Sequence, residues 1–345
     1  MPVQAGGGAL TMNWRSLWYD PNSSRLRSGW RILAFLAMAS GLSLGIMMVL
    51  TLFVPEKLLT GKPSGDYLGY LIDRLAMTPA LIAAGVWALR ILDHLPSRTL
   101  GISPEGKWLR LLLLGYAAGI VMIGLVMAVL WASGSAVIRL QSVGRESLLL
   151  LGGGALFMLL AGFWEEVLFR GYIFQTLLRG IGPLLTLFLT SILFALLHLV
   201  NPNWTLLSLT NIFLFGMFFG LLYLRSGSLW LPIGLHAGWN FAQVLFHVPV
   251  SGNAIPFPTP LMATFSGSRL IAGGTFGPEG GVVVSALVLA AIALVTHGRF
   301  GLSFESRWWE WRGFTLVPDL PQNWDFSIGK RYYQWKLLGH DQSSD

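Results

Sequence analysis

Long apolar runs separated by short polar or Gly/Pro-containing connections dominate this chain. A helix needs about 20 apolar residues to cross a bilayer core. Runs of that order recur at roughly 31–54, 72–92, 111–132, 156–178, 183–202, 206–225, 229–248 and 281–298. The second and fourth carry charge inside them. The pattern predicts an all-α polytopic membrane helix bundle of about eight transmembrane helices. It divides into an N-terminal membrane region of about three spans (1–146), a central region (147–248), a connecting segment (249–280), a last span (281–299) and a polar tail (300–345). Residues 249–280 are rich in Gly, Pro, Ser and Thr and read as a long loop on the outer side, a lid or a partly re-entrant segment. The tail carries Trp308, Trp309, Trp311, Trp324 and Trp335 among Arg and Lys. That composition suits either the membrane interface or a small self-packed appendage. No internal repeat is visible.

Composition supports the membrane class. Only 11% of the 345 residues are charged and 54% are hydrophobic, where a soluble chain carries about 25% charge. There is no cysteine, which excludes disulfides, thiolate metal sites and a cysteine nucleophile. The net charge of +7 comes from basic residues scattered between apolar segments. They form no single patch, which argues against nucleic acid as a partner. Arg25, Arg27 and Arg31 lead straight into the first apolar run, as expected of an uncleaved first span with its N-terminus inside. With eight spans, Arg90, Arg98, Lys107, Arg110, Arg179, Arg225 and the basic residues of the tail fall on that same side. Lys57, Lys62, Arg139, Arg145 and Arg269 fall on the other, partly offset by Glu56, Asp66, Glu146 and Glu279. The positive-inside tendency then gives a multi-pass cell-membrane protein with both termini cytoplasmic. No signal for an oligomeric state is present.

Against this background Phe163-Trp164-Glu165-Glu166-Val167-Leu168-Phe169-Arg170 stands out. A glutamate in a lipid-embedded helix is costly unless paired or protonated. Gly180-Ile181-Gly182-Pro183 signals a tight turn. Glu165 lies fifteen residues before that turn and His198 fifteen after it, so both sit roughly 22 Å from it on adjacent antiparallel helices. A second turn at Ser226-Gly227-Ser228 puts His236 and Asn240 roughly 12–18 Å along the next helix, four apart and on one face. Arg170 follows Glu166 by four and is placed to neutralise it. Singly, each has a bland reading: a Glu–Arg pair that fixes packing, a histidine that hydrogen-bonds within the bundle, an asparagine that joins helices. Convergence at one depth favours a site. His94, His247, His297 and His340 lie near span ends or in the tail, Asp73 and Arg74 read as boundary residues, and no comparable cluster appears elsewhere.

No Gly-x-Ser-x-Gly and no His-Glu-x-x-His is present, and paired intramembrane aspartates are absent too. A glutamate and a histidine at one depth can activate a water, and His236 with Asn240 can donate to a carbonyl oxygen as it becomes an oxyanion. Glu165, His198 and His236 are equally acceptable as zinc ligands. The residues alone leave both readings open, with the His-x-x-x-Asn pair favouring the oxyanion role slightly.

The order Glu-Glu-x-x-x-Arg (165–170), Phe-x-x-x-His (194–198) and His-x-x-x-Asn (236–240) resembles the CPBP family, the CAAX protease and bacteriocin-processing enzymes, also called Abi. These are intramembrane glutamate proteases related to type II CAAX prenyl endopeptidases. The resemblance covers roughly 147–248. It implies that Glu165 is the catalytic carboxylate, acting on water with His198. By the same resemblance His236 and Asn240 form the oxyanion site, supported by Glu166 and Arg170, and no metal cofactor is required. The implied substrate is a membrane-associated or lipidated protein or peptide met within the lipid bilayer. Two other classes compete: a non-catalytic immunity or scaffold protein on the same fold, and, ranked last, a proton-coupled transporter. The transporter would require inverted repeats or broken helices in matching halves.

Overall fold

In lipid the backbone has no partner but itself, so apolar runs become helices. The computed structural model describes residues 15–19, 25–54, 67–142, 144–254, 257 and 259–297. Its helices are α1 (Ser28–Leu50), α2 (Tyr67–Trp87, continued by a π-helical turn Ala88–Leu92), α3 (Trp108–Ala132), α4 (Arg145–Arg170), α5 (Tyr172–Ile181), α6 (Pro183–Leu197), α7 (Leu206–Ser226), α8 (Trp230–Leu245) and α9 (Val282–His297). The chain is an all-α bundle. Its apolar residues also face outward, among them Leu33, Leu44, Met48, Leu113, Leu125 and Leu193, as a lipid environment requires.

Among the described residues, six helical stretches are long and apolar enough to cross a membrane: Ser28–Leu50, Leu71–Leu92, Trp108–Ala132, Ser147–Ile181, Pro183–Val200 and Leu206–Ser226. The other two expected spans, 229–248 and 281–298, are helices of 16 residues each. Their described lengths are about 24 Å each, shorter than the other six. The span expected at 156–178 is longer and jointed: α4 and α5 meet at Gly171 and together reach about 52 Å.

α8 is the axis of the bundle, buried at twelve of its sixteen positions. It runs beside α3 at a glycine-lined crossing. A Cβ on Gly234 would strike the Leu112 carbonyl, and one on Gly238 the Tyr116 carbonyl; Gly115 and Gly119 of α3 face α8 in the same way. Small residues let the two backbones touch. This leaves the opposite face of α8, with His236 and Asn240, turned toward α4. The α5–α6 hairpin turns at Gly182 (φ 78°) with Pro183 opening α6, and the α7–α8 hairpin turns at Gly227 (φ 65°).

The described residues of 249–280 dock on the bundle. β2 (Leu261–Phe265) pairs antiparallel with β1 (Ala136–Leu140), Ala136 opposite Phe265. Glu279, expected as an outer-loop charge, is buried. Gly252 and Gly277 allow the segment to press its backbone against Pro202 and Pro249. The tail 300–345, with His340, lies outside the described residues.

A second buried ion cluster corrects the expectation of a single one. The Asp93 carboxylate, fully enclosed, pairs with Arg31 of α1 and with Arg179 of α5 (3.2 Å). It fastens α1, the end of α2 and α5 at the end of the bundle marked by the α5–α6 turn.

Candidate active site

α4 places Glu165, Glu166 and Arg170, the end of α6 places His198, and α8 places His236 and Asn240. The Oε2 atom of Glu165 is the convergence point. His236 Nε2 lies 3.8 Å from it and His198 Nε2 4.0 Å. Oε2 itself has no hydrogen-bond partner. Both separations exceed a direct hydrogen bond.

The backbone and neighbouring carboxylate fix both rings. His198 Nδ1 lies 2.8 Å from the Phe194 carbonyl. A carbonyl only accepts, so Nδ1 carries the proton, and a neutral ring presents the Nε2 lone pair to Glu165. Phe194 also packs against both histidines, 4.9 Å from the His198 ring and 6.0 Å from the His236 ring. His236 Nδ1 donates to Glu166 Oε1 at 3.0 Å, and its ring stacks on Phe219 at 4.9 Å.

Glu166 is completely buried and shares its Oε1 with Arg170 Nη1 at 3.0 Å. Arg170 Nη2 donates to the Gly216 carbonyl at 3.0 Å. Its guanidinium lies over Phe194 at 4.5 Å and Phe219 at 5.5 Å. The i,i+4 partner therefore has a cage of its own, and Glu166 is left to hold His236 rather than to face the cavity.

Glu165, His198, His236 and Asn240 line a cavity of about 230 Å³. Asn201, Ser251 and Asn253, from the turns after α6 and α8, line it too. Asn240 is buried and makes no hydrogen bond among the described residues. Arg74 is part of the wall, its guanidinium 4.2 Å from the centre of the Trp164 ring. It was expected as a boundary residue, but α2 runs against α4 here and turns it inward. Ligand atoms around a tetrahedral zinc are about 3.3 Å apart. The donors here are spaced more widely, and among the described residues no group of three His, Cys, Asp or Glu is arranged to hold a metal ion.

Glu166 and Arg170 as a pair, and the facing of His198 and Glu165, follow from spacings visible in the sequence. Phe219, Arg74 and Glu279 do not. Phe219 is one phenylalanine among several on α7. The only hint of Glu279 is that it is the sole acidic residue between 249 and 280.

Residues 147–242 match the family model of Rce1-like type II CAAX prenyl endopeptidases. This is the CPBP family that the three motifs resemble. The Rce1-like segment runs from α4 to within α8, contains every candidate residue and stops before 249–280. No curated protein and no solved structure matches the chain. The Rce1-like segment lies within a bundle of membrane-length helices, the architecture of an integral multi-pass membrane protein.

Proposed function

We propose that the chain is an intramembrane glutamate endopeptidase that cuts a membrane-associated or lipidated protein or peptide with an activated water. The observation that carries this is the Glu165 carboxylate, which lines a cavity and whose partnerless Oε2 is flanked at 3.8 and 4.0 Å by two histidine Nε2 atoms. A water held by Glu165 and the His198 Nε2 lone pair gives its proton to Glu165 as its oxygen attacks the peptide carbonyl carbon. The carbonyl oxygen becomes an oxyanion beside Asn240 Nδ2–H and, from the protonated ring, His236 Nε2–H. Glu165, Glu166 and Arg170 together carry one excess negative charge, which a protonated His236 balances. The tetrahedral intermediate collapses as Glu165 returns the proton to the departing amine nitrogen. Each step runs through these side chains.

The proposed setting is the cell membrane with both termini cytoplasmic. The test is cleavage of a membrane-extracted protein pool by the purified chain, read by mass spectrometry of new termini. Loss of a general base costs about 10²–10⁴ in rate, so Glu165→Gln should leave almost no cleavage while the protein stays folded. A zinc chelator should leave the wild type active. Undiminished cleavage by Glu165→Gln would refute the assignment, and loss with chelator alone would move the mechanism to zinc.

A further inference from the structure

Glu279 lies outside the matched segment and outside all three motifs, yet it is the most heavily bonded carboxylate described. Its Oε1 accepts from Trp239 Nε1 at 2.7 Å and Gln243 Nε2 at 3.0 Å. Its Oε2 accepts from the Ser251 backbone N–H at 2.7 Å and the Ser251 hydroxyl at 2.8 Å. Its own carbonyl accepts from Asn211 Nδ2 of α7 at 2.7 Å. One residue thus joins α7, α8 and the turn after α8.

That turn is part of the cavity wall. Ser251 (φ 47°) and Gly252 (φ 84°) are both left-handed, inside the bridge between Val250 and Asn253. A serine in this region is held there by its surroundings. The Ser251 carbonyl accepts from Asn201 Nδ2 at 2.9 Å, and the Asn201 N–H donates to the His198 carbonyl at 3.1 Å. A continuous chain therefore runs from Glu279 through Ser251 and Asn201 to His198. A second runs through Trp239, the residue before Asn240. Glu279, Ser251, His198, His236 and Asn240 also border one small common cavity behind the site.

We propose that Glu279 is a positioning residue: it clamps the 250–254 wall and the 198–201 turn against α8, and so sets the spacing of His198 and Asn240 across the cavity. The functional meaning of that spacing rests on the reading of the site given above. The clamp itself does not, and it can be measured without cleavage.

All four partners of the carboxylate are donors, and two of them, the Trp239 indole N–H and the Ser251 backbone N–H, cannot become acceptors. A glutamine at 279 therefore opposes an N–H to an N–H in either amide orientation. Glu279→Gln keeps shape and volume but opens the clamp.

The cysteine-free background allows a direct test. In the full chain in detergent, Ala161→Cys on the α4 wall of the cavity is labelled with a polar maleimide. Adding Glu279→Gln should raise the labelling rate about tenfold, equivalent to about 1.4 kcal/mol of lost anchoring, and Ser251→Ala should give a smaller rise. With cleavage in hand, Glu279→Gln should lower kcat with little change in KM. An unchanged labelling rate in folded Glu279→Gln overturns the clamp, as does a rise in KM with kcat intact. If Glu279→Ala fails to fold, Glu279→Gln and Ser251→Ala still decide the matter. If Glu165→Gln retains cleavage, the protease assignment falls while the labelling result stands.

Discussion

Alanine at Gly238 should destabilise this bundle, whereas the same change at Gly124, further along α3 from the crossing, should not. A Cβ on Gly238 would lie 2.8 Å from the Tyr116 carbonyl carbon, 2.9 Å from its Cα, and closer still to its carbonyl oxygen. These are backbone atoms with no rotamer to change, so α8 must back away from α3 by about 1 Å to restore van der Waals contact. Overpacking of this kind costs about 1–3 kcal/mol. Against it stands a gain of about 1 kcal/mol from replacing a helical glycine by alanine. With a rigid obstacle the upper figure applies, and the net loss is about 2 kcal/mol. At Gly124 nothing lies within 4 Å of the new methyl, so only the propensity gain of up to about 1 kcal/mol remains. Thermal unfolding in detergent, followed by tryptophan fluorescence, should show Gly238→Ala several degrees below wild type and Gly124→Ala at or above it. Because α8 carries His236 and Asn240 on its far face, maleimide labelling of Ala161→Cys should also change in the first variant only. Equal melting of the two variants would refute the claim that the α3–α8 backbone contact fixes the site.

Three further outcomes are expected. Arg170→Met removes the guanidinium that pairs with the buried Glu166 carboxylate and should cost about 3–5 kcal/mol, with part of the loss recovered in Glu166→Gln/Arg170→Met; unfolding midpoints of the two variants against wild type check this. Asp93→Asn strands Arg31 and Arg179 and should lower stability by a comparable amount, yet leave labelling at Ala161→Cys unchanged once the protein is folded; altered cavity labelling would mean the two ion clusters are coupled. A Glu165→Cys/His198→Cys pair should crosslink with a short bifunctional reagent, and a pair at 165 and 185 should not; the reverse would contradict the α4–α6 pairing.

What the sequence discloses about the fold follows from what lipid demands. Apolar length locates helices without reference to partners, so the runs themselves placed these helices, except for the joint at Gly171 that divides α4 from α5. The ends were not legible. α8 is a 16-residue helix within a longer apolar run, because the buried interior of a protein is as apolar as lipid. Charges inside an apolar run were equally ambiguous. Arg74 and Asp93 sit near the ends of one span, where snorkelling to water is a sufficient account, and only the packing of α2 against its neighbours turns one toward the cavity and encloses the other.

The candidate site was legible for a specific geometric reason. Glu166 with Arg170, Phe194 with His198, and His236 with Asn240 are all separated by four residues, so each pair necessarily lies on one helix face. Two turns of known position then fix the depth of each face, and three faces at one depth leave few arrangements other than a shared cavity. Glu279 escapes this logic. Its side-chain partners are 28 to 40 residues away in sequence, and it sits in a glycine-rich turn with no period to extrapolate. Helical spacing can disclose which groups face one another, but the groups that hold those helices at the right distance come from the connecting chain, and their contacts exist only once the bundle has folded.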